Sequence, residues 1–240
     1  ARAMAKRDYK QFCPAARALN VVGERWTLLI VRDLLVRPRR YSEIKRGMPG
    51  MASNLLAGRL AEMEDGGLIE KRTVEVEGRA AHDVYALTDR GRELEPVLVD
   101  LARFGFPFLG MPTDDEPMLD ERVPLGLRAM MLDQELPDSA LVLHFDLDEG
   151  SYLVSIAAPG PRGARLTAGE RVDVRTLDDG ADDDAASADA VITGTMVGIL
   201  WVRQGMMDGA AVEKQGILTI TGRDDAVASA RFLYGLATAA

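Results

Sequence analysis

A chain of 240 residues, 47% hydrophobic and 28% charged, can bury one large core or two small ones, and its charge is uneven: residues 1–110 hold 19 Lys and Arg against 15 Asp and Glu, residues 111–240 hold 10 against 23. The net charge of −9, read alone, argues against nucleic acid, but binding depends on the local face, and residues 1–72 carry 15 basic against 8 acidic side chains. One cysteine, Cys13, excludes an internal disulfide framework and a thiolate zinc site; no apolar run reaches bilayer length and no signal-peptide core opens the chain, so a reducing cytoplasm without membrane contact is the expected setting.

Cys13-Pro14 opens a first helix, with Pro14 at the first helical position, where its missing N–H costs nothing, and Ala15, Ala16 and Ala18 favouring helix up to Gly23. From Glu24 to Val36, Trp26, Leu29, Ile30 and Leu34 recur at helical spacing, predicting a second helix with its indole in the core and Arg25 and Arg32 outside. Arg37-Pro38-Arg39-Arg40 is a basic break, solvated or gripping phosphate; beside a DNA-reading element its arginines favour phosphate.

Tyr41 to Gly67 reads as two short helices joined by a Met48-Pro49-Gly50 turn, a helix-turn-helix. The second helix is expected to start at Ala52 or Ser53, capped by Ser53, and to stop at Gly66-Gly67. Leu56, Leu60 and Met63 form its buried stripe, and Ser53, Asn54, Ala57, Gly58 and Arg59 its free face, which suits a DNA major groove as well as it suits plain solvent. The period then changes: Leu68–Val76 and Asp83–Leu87 read as strands around a Glu77-Gly78-Arg79-Ala80-Ala81 turn. A hairpin directly after a reading helix is a wing, and Arg79 at its tip suits a narrow minor groove.

Thr88 caps the next expected helix, Asp89 to about Phe104. Its Leu94, Leu98, Leu101 and Phe104, continued by Phe106 and Phe108, exceed the needs of a small domain, which points to a homodimer through this helix and the first, or to packing on a second domain. Pro107, Gly110, Pro112 and Asp114-Asp115-Glu116-Pro117 mark a linker, residues 111–118, between a domain of residues 1–110 and one of residues 119–240.

The second part predicts a helix from Met118 to about Glu135, then alternation: Leu143, Phe145 and Leu147 oppose His144, Asp146 and Asp148, and past a Glu149-Gly150 turn Tyr152, Val154 and Ile156 repeat the pattern. Further strands are expected at Arg165–Thr167, Val172–Leu177, Ala190–Thr193 and Ile217–Thr221, with an acidic loop over Asp178–Ala188. Helices are expected from Thr195 to Val202, Ala210 to Lys214 and onward from Asp224. The fold class is α+β, a five-stranded, mostly antiparallel sheet with helices on one face. Met196, Trp201, Met206, Met207 and Phe232 are side chains suited to lining an apolar ligand cavity there, although plain core shares that pattern.

Residues 12–105 resemble the HxlR-type winged helix-turn-helix transcriptional regulators, through CPAARALNVVGERWTLLIVRDLL, RRYSEIKRGMPGMASNLLAGRLAEMEDGGLIEKR, VYALTDRGREL and PVLVDLARFG. The resemblance implies a dimeric bacterial regulator whose second motif helix reads double-stranded DNA and whose terminal helices form the dimer. It also directs attention to Cys13, a redox or electrophile sensor in some members. The Glu77–Ala81 segment departs from the family's proline-containing wing turn. Residues 119–240 resemble a sterol-carrier-protein-type lipid-binding domain, through ADAVITGTMVGILWVRQGMMDGAAVEKQGILTITGRDDAV, which implies a hydrophobic ligand beneath the helices.

His82 and His144 stand in no metal-ligand spacing, Gly160-Pro161-Arg162-Gly163 is too loose for a phosphate loop, and Asp182-Asp183-Asp184 lacks the glycine and glutamate of a calcium hand. Neither enzyme activity nor a cofactor or metal is expected. The expected function is a dimeric DNA-binding transcriptional repressor modulated by a hydrophobic small molecule. Its rivals are a hydrophobic-ligand carrier that docks proteins through the winged helix and a regulator that senses redox state through Cys13.

Overall fold

In the computed structural model the described residues are 8–76, 79–110, 113, 122–132, 134–160, 168–177 and 185–236. They fall into two units, Ala1–Leu98 and Val99–Ala240. The expected linker, residues 111–118, lies outside the described residues except at Thr113.

The first unit holds α1 (Pro14–Val22), α2 (Thr27–Val36), α3 (Tyr41–Gly47), α4 (Ser53–Asp65), β1 (Ile69–Val76), β2 (Arg79–Leu87) and α5 (Asp89–Arg92). Pro14 starts α1 as expected. The second helix begins at Thr27 rather than Glu24, because Trp26 adopts a left-handed conformation (φ 82°, ψ −23°) that a helix interior cannot accommodate. Its indole is therefore half-buried at the helix entrance instead of inside the core, and Leu29 faces solvent. The core is built from Ile30, Val31 and Leu34 of α2, Ile44 of α3, Leu56, Leu60 and Met63 of α4, and Leu68, Ile69, Val84 and Leu87 around the hairpin. Met48 and Met51 plug it from the turn between α3 and α4, where Gly50 supplies the positive φ of 79°. The N-cap of α4 is Ala52, so Ser53 occupies the first helical position and does not cap, contrary to expectation.

β1 and β2 pair antiparallel from Ile69↔Leu87 to Val74↔His82, with an irregularity between Val74 and Val76. The second strand reaches back to Arg79 rather than starting at Asp83. Arg39 adds a short third rung: its N–H donates to the Tyr85 carbonyl (3.0 Å) and the Tyr85 N–H to the Arg39 carbonyl (2.8 Å). The Thr88 hydroxyl accepts from the Gly91 N–H at 3.1 Å, capping α5 as expected. At Gly91 a Cβ would stand 2.1 Å from the Leu68 carbonyl oxygen, so helix and hairpin meet here without room for a side chain. The single helix expected from Asp89 to Phe104 is broken into α5 and α6 (Glu95–Gly105), because Pro96 has no N–H for the Arg92 carbonyl and its ring crowds that turn.

The second unit contains α7 (Val123–Met131), β3 (Leu141–Leu147), β4 (Gly150–Ile156), α8 (Ala168–Arg171), β5 (Val172–Thr176), β6 (Ala190–Gly194), α9 (Met196–Arg203), α10 (Gly209–Lys214), β7 (Leu218–Gly222) and α11 (Asp224–Leu233). The five strands run in the order β5-β4-β3-β6-β7, parallel between β3 and β6 and antiparallel elsewhere. Leu141, Leu143, Phe145 and Leu147 are buried along one side of β3 while His144 and Asp146 are less so, as their alternation predicts. The Phe145 and Tyr234 rings meet edge to face at 5.0 Å, at the centre of a cluster with Leu127, Met130, Ile192, Ile199 and Leu218.

Thr195 caps α9 by accepting from the Gly198 N–H at 2.9 Å, and Asp208 caps α10 through the Ala210 N–H at 2.8 Å. The helix expected over Met118–Glu135 spans only Val123–Met131 among the described residues. Arg165–Thr167 and Asp178–Asp184 lie outside them. No helix among the described residues is long and apolar enough to cross a membrane. No group of three or more His, Cys, Asp or Glu among them is placed to hold a metal.

Candidate nucleic-acid interface

The amphipathic spacing of α4 locks one side of it into the core and leaves Ser53, Asn54, Ala57 and Gly58 exposed on the other. Two of these residues are small, so a partner can come close to the helix backbone. The Tyr41 hydroxyl, at the start of α3, donates to the Ser53 carbonyl, at the start of α4, at 2.8 Å and ties the two helices together.

Arg59 does not belong to that face. It is 6% exposed, its guanidinium bonding Glu24 at 3.2 Å through Nη2 and Glu62 through Nη1. One residue from Leu60 and three from Leu56, it sits at the edge of the buried stripe. The acid at i+3, Glu62, is the signal that marks it as a pairing residue. Arg39 is also removed from the phosphate-contact set: it is 3% exposed, and its Nε donates to the Asp33 carbonyl at 2.8 Å. Asp33, itself buried, pairs with Arg32 at 2.7 Å and forms a polar node beneath the motif.

Arg40 is exposed at the N-cap of α3, and Arg37 and Arg46 are exposed nearby. Glu43 accepts from the Arg40 N–H (2.7 Å) and the Arg37 guanidinium (2.8 Å). Burial works against its charge, but these bonds and the neighbouring arginine field outweigh burial and hold its carboxyl below the ordinary value. Arg79 opens β2, and its side chain lies outside the described residues. Along the hairpin Lys71 pairs with Asp83 at 2.7 Å, a bond that raises the lysine pKa and lowers the aspartate's. Cys13 carries a free, exposed thiol at the N-cap of α1.

In the second unit the five residues expected to line an apolar cavity do not share one enclosed wall. Met196 is 2% exposed and part of the core cluster, Met206 and Phe232 are each 49% exposed, and Trp201 and Met207 are half-buried. The Trp201 Nε1 and the Tyr234 hydroxyl are buried atoms without a hydrogen-bond partner among the described residues. Burial pushes the Tyr234 phenol pKa far up, so the hydroxyl stays protonated.

The family model of HxlR-like helix-turn-helix proteins matches residues 21–111. The HTH-type transcriptional regulator YvaP of Bacillus subtilis is 35% identical over 98 residues, 40% of this chain and 89% of YvaP. The HTH-type transcriptional regulator sll1512 of Synechocystis is 31% identical over 98 residues, 40% of this chain and 70% of that protein. Among solved structures, the reduced form of the transcriptional regulator YodB from B. subtilis is 27% identical, with a TM-score of 0.36, covering 43% of this chain and 100% of that one. With the helix-turn-helix of α3 and α4, the hairpin behind it and relatives matched over most of their length, the chain belongs to the HxlR-like helix-turn-helix family of transcriptional regulators.

Proposed function

We propose that this regulator is a dimeric, non-catalytic repressor that reads the DNA major groove with Ser53, Asn54, Ala57 and Gly58 of α4. In this reading Arg37, Arg40 and Arg46 hold phosphates and Arg79 extends the contact to the minor groove. The observation that carries it is the open, small-residue face of α4 opposite a stripe fixed in the core. Dimerisation is supported by Phe12 and Leu19 at α1 and by Val97, Leu101 and Phe104 of α6, large apolar side chains left exposed on each helix. Effector control by a hydrophobic molecule, in a second unit of sterol-carrier type, is supported by the Trp201 Nε1 and the Tyr234 hydroxyl, buried donors with no hydrogen-bond partner among the described residues.

Two variants test the reading face by fluorescence anisotropy on a duplex from the promoter region beside the protein's own gene. Asn54→Ala is expected to lower the preference for that duplex over a scrambled one by about tenfold or more, the worth of one good base contact. Gly58→Glu, where an added Cβ meets nothing within 4 Å, keeps the helix and sets a carboxylate against phosphate. It is expected to abolish binding. Wild-type affinity and discrimination in both variants would remove α4 from the interface.

The exposed Cys13 thiol favours a second reading, in which oxidation adjusts DNA affinity. Cys13→Ser is then expected to erase any change in affinity caused by hydrogen peroxide; a change that persists in the variant rules out this thiol as the sensor.

A further inference from the structure

Beside the reading face, the α1–α2 junction, the α3–α4 turn and the flank of α4 form a cleft of about 340 Å3. Trp26, Pro49 and Leu55 supply its apolar walls, Gly50 leaves one side without a side chain, Arg25 brings positive charge, and Glu24 and Arg59 line it as an ion pair. The size is at the lower end of small-molecule sites.

Three features mark it as a site built for an occupant. Trp26 is held at φ 82°, a conformation rare for a bulky aromatic, and this places its indole at the cleft wall rather than in the core. The Arg25 guanidinium lies 5.0 Å from the centroid of that indole and makes no ion pair among the described residues. Arg59 is nine-tenths buried, and although Glu24 and Glu62 take its terminal nitrogens, its Nε has no partner among the described residues. An Arg25 cation stacked on an apolar wall, beside a guanidinium N–H of Arg59 that no acceptor takes, suits an acceptor carried by a flat apolar body.

We propose that this cleft binds a small planar aromatic carboxylate, its ring between Trp26 and Leu55 and its carboxylate accepting from Arg25 and from the Arg59 Nε. Leu55 and Arg59 adjoin Asn54 and Gly58 in α4, so occupancy and DNA affinity are linked and each shifts the other. The linkage rests on the DNA reading given above; binding to the cleft does not.

The full chain labelled with 15N at its indoles gives two signals, from its two tryptophans, assigned with Trp201→Phe. Titrated with 2-naphthoate, the Trp26 signal is expected to shift saturably and the Trp201 signal to stay. By calorimetry, 2-naphthoate is expected to bind at least tenfold more tightly than the neutral 2-naphthamide. Arg25→Ala and Leu55→Glu are each expected to weaken it at least tenfold, the second at a position already 37% exposed, and the indole signals report that both variants fold. Equal affinity for acid and amide, unchanged affinity in Leu55→Glu, or an equal Trp26 shift with inorganic phosphate overturns the proposal. With 2-naphthoate bound, the promoter-duplex Kd is expected to change several-fold. Saturable binding with an unmoved Kd removes the linkage and leaves the cleft, whereas absence of DNA binding under any condition removes the DNA reading alone.

Discussion

Raising salt from about 50 to about 200 mM is expected to weaken binding of the full chain to its promoter duplex by roughly two to three orders of magnitude. Exposed Arg37, Arg40 and Arg46 in each of two protomers offer up to about six phosphate contacts, and each contact contributes about −0.9 to the slope of log affinity against log salt. Charges more than about 10 Å from a phosphate are screened at ordinary ionic strength, so the slope reports the side chains at the contact and not the whole-chain charge of −9. Arg40→Ala is expected to flatten the slope by about two in a dimer, one contact per protomer, whereas Asn54→Ala lowers affinity for the preferred sequence and leaves the slope unchanged. A binding curve indifferent to salt would show that this basic surface does not meet DNA.

Phe145→Ala is expected to destabilise the second unit by about 3–5 kcal/mol, because the ring is fully buried and packs edge to face on Tyr234. Phe232→Ala, at a half-exposed ring, should stay within about 0.5 kcal/mol. Thermal melts of the full chain, followed by Trp201 fluorescence in a Trp26→Phe background, separate the two; equal losses would mean that Phe232 belongs to a buried wall. In the same melts palmitate should raise the transition of the second unit, since a ligand that binds only the folded state stabilises it by mass action. No shift up to its solubility limit would remove an apolar effector from that unit.

The family match covers about two-fifths of the chain, and there the elements are most legible in the sequence. Pro14, Gly50 and the Gly66-Gly67 stop stand where the motif needs them, and Leu56, Leu60 and Met63 are buried together as their spacing requires. In the second unit the alternation along Leu143–Leu147 and the helix start at Thr195 are equally legible, whereas the cap that Asp208 gives the next helix is visible only in the structure. The breaks were harder. Trp26 has helical spacing but a left-handed backbone, and Pro96 splits a helix whose apolar pattern runs on through it.

Helix stripes, strand alternation and caps depend on residues within a few positions of one another, and these the amino-acid order by itself determined: a helix-turn-helix with a hairpin, followed by an α+β unit with a five-stranded sheet. Which arginines face DNA was decided only by tertiary structure. Arg39 and Arg40 are adjacent, yet one donates into the Asp33 carbonyl and the other faces solvent; Arg59 is turned inward by Glu24, 35 residues earlier. A cation goes to whichever acceptor folding brings within reach, and burying a guanidinium is tolerable only where such partners wait, so its role depends on the folded surroundings as well as on its neighbours in sequence.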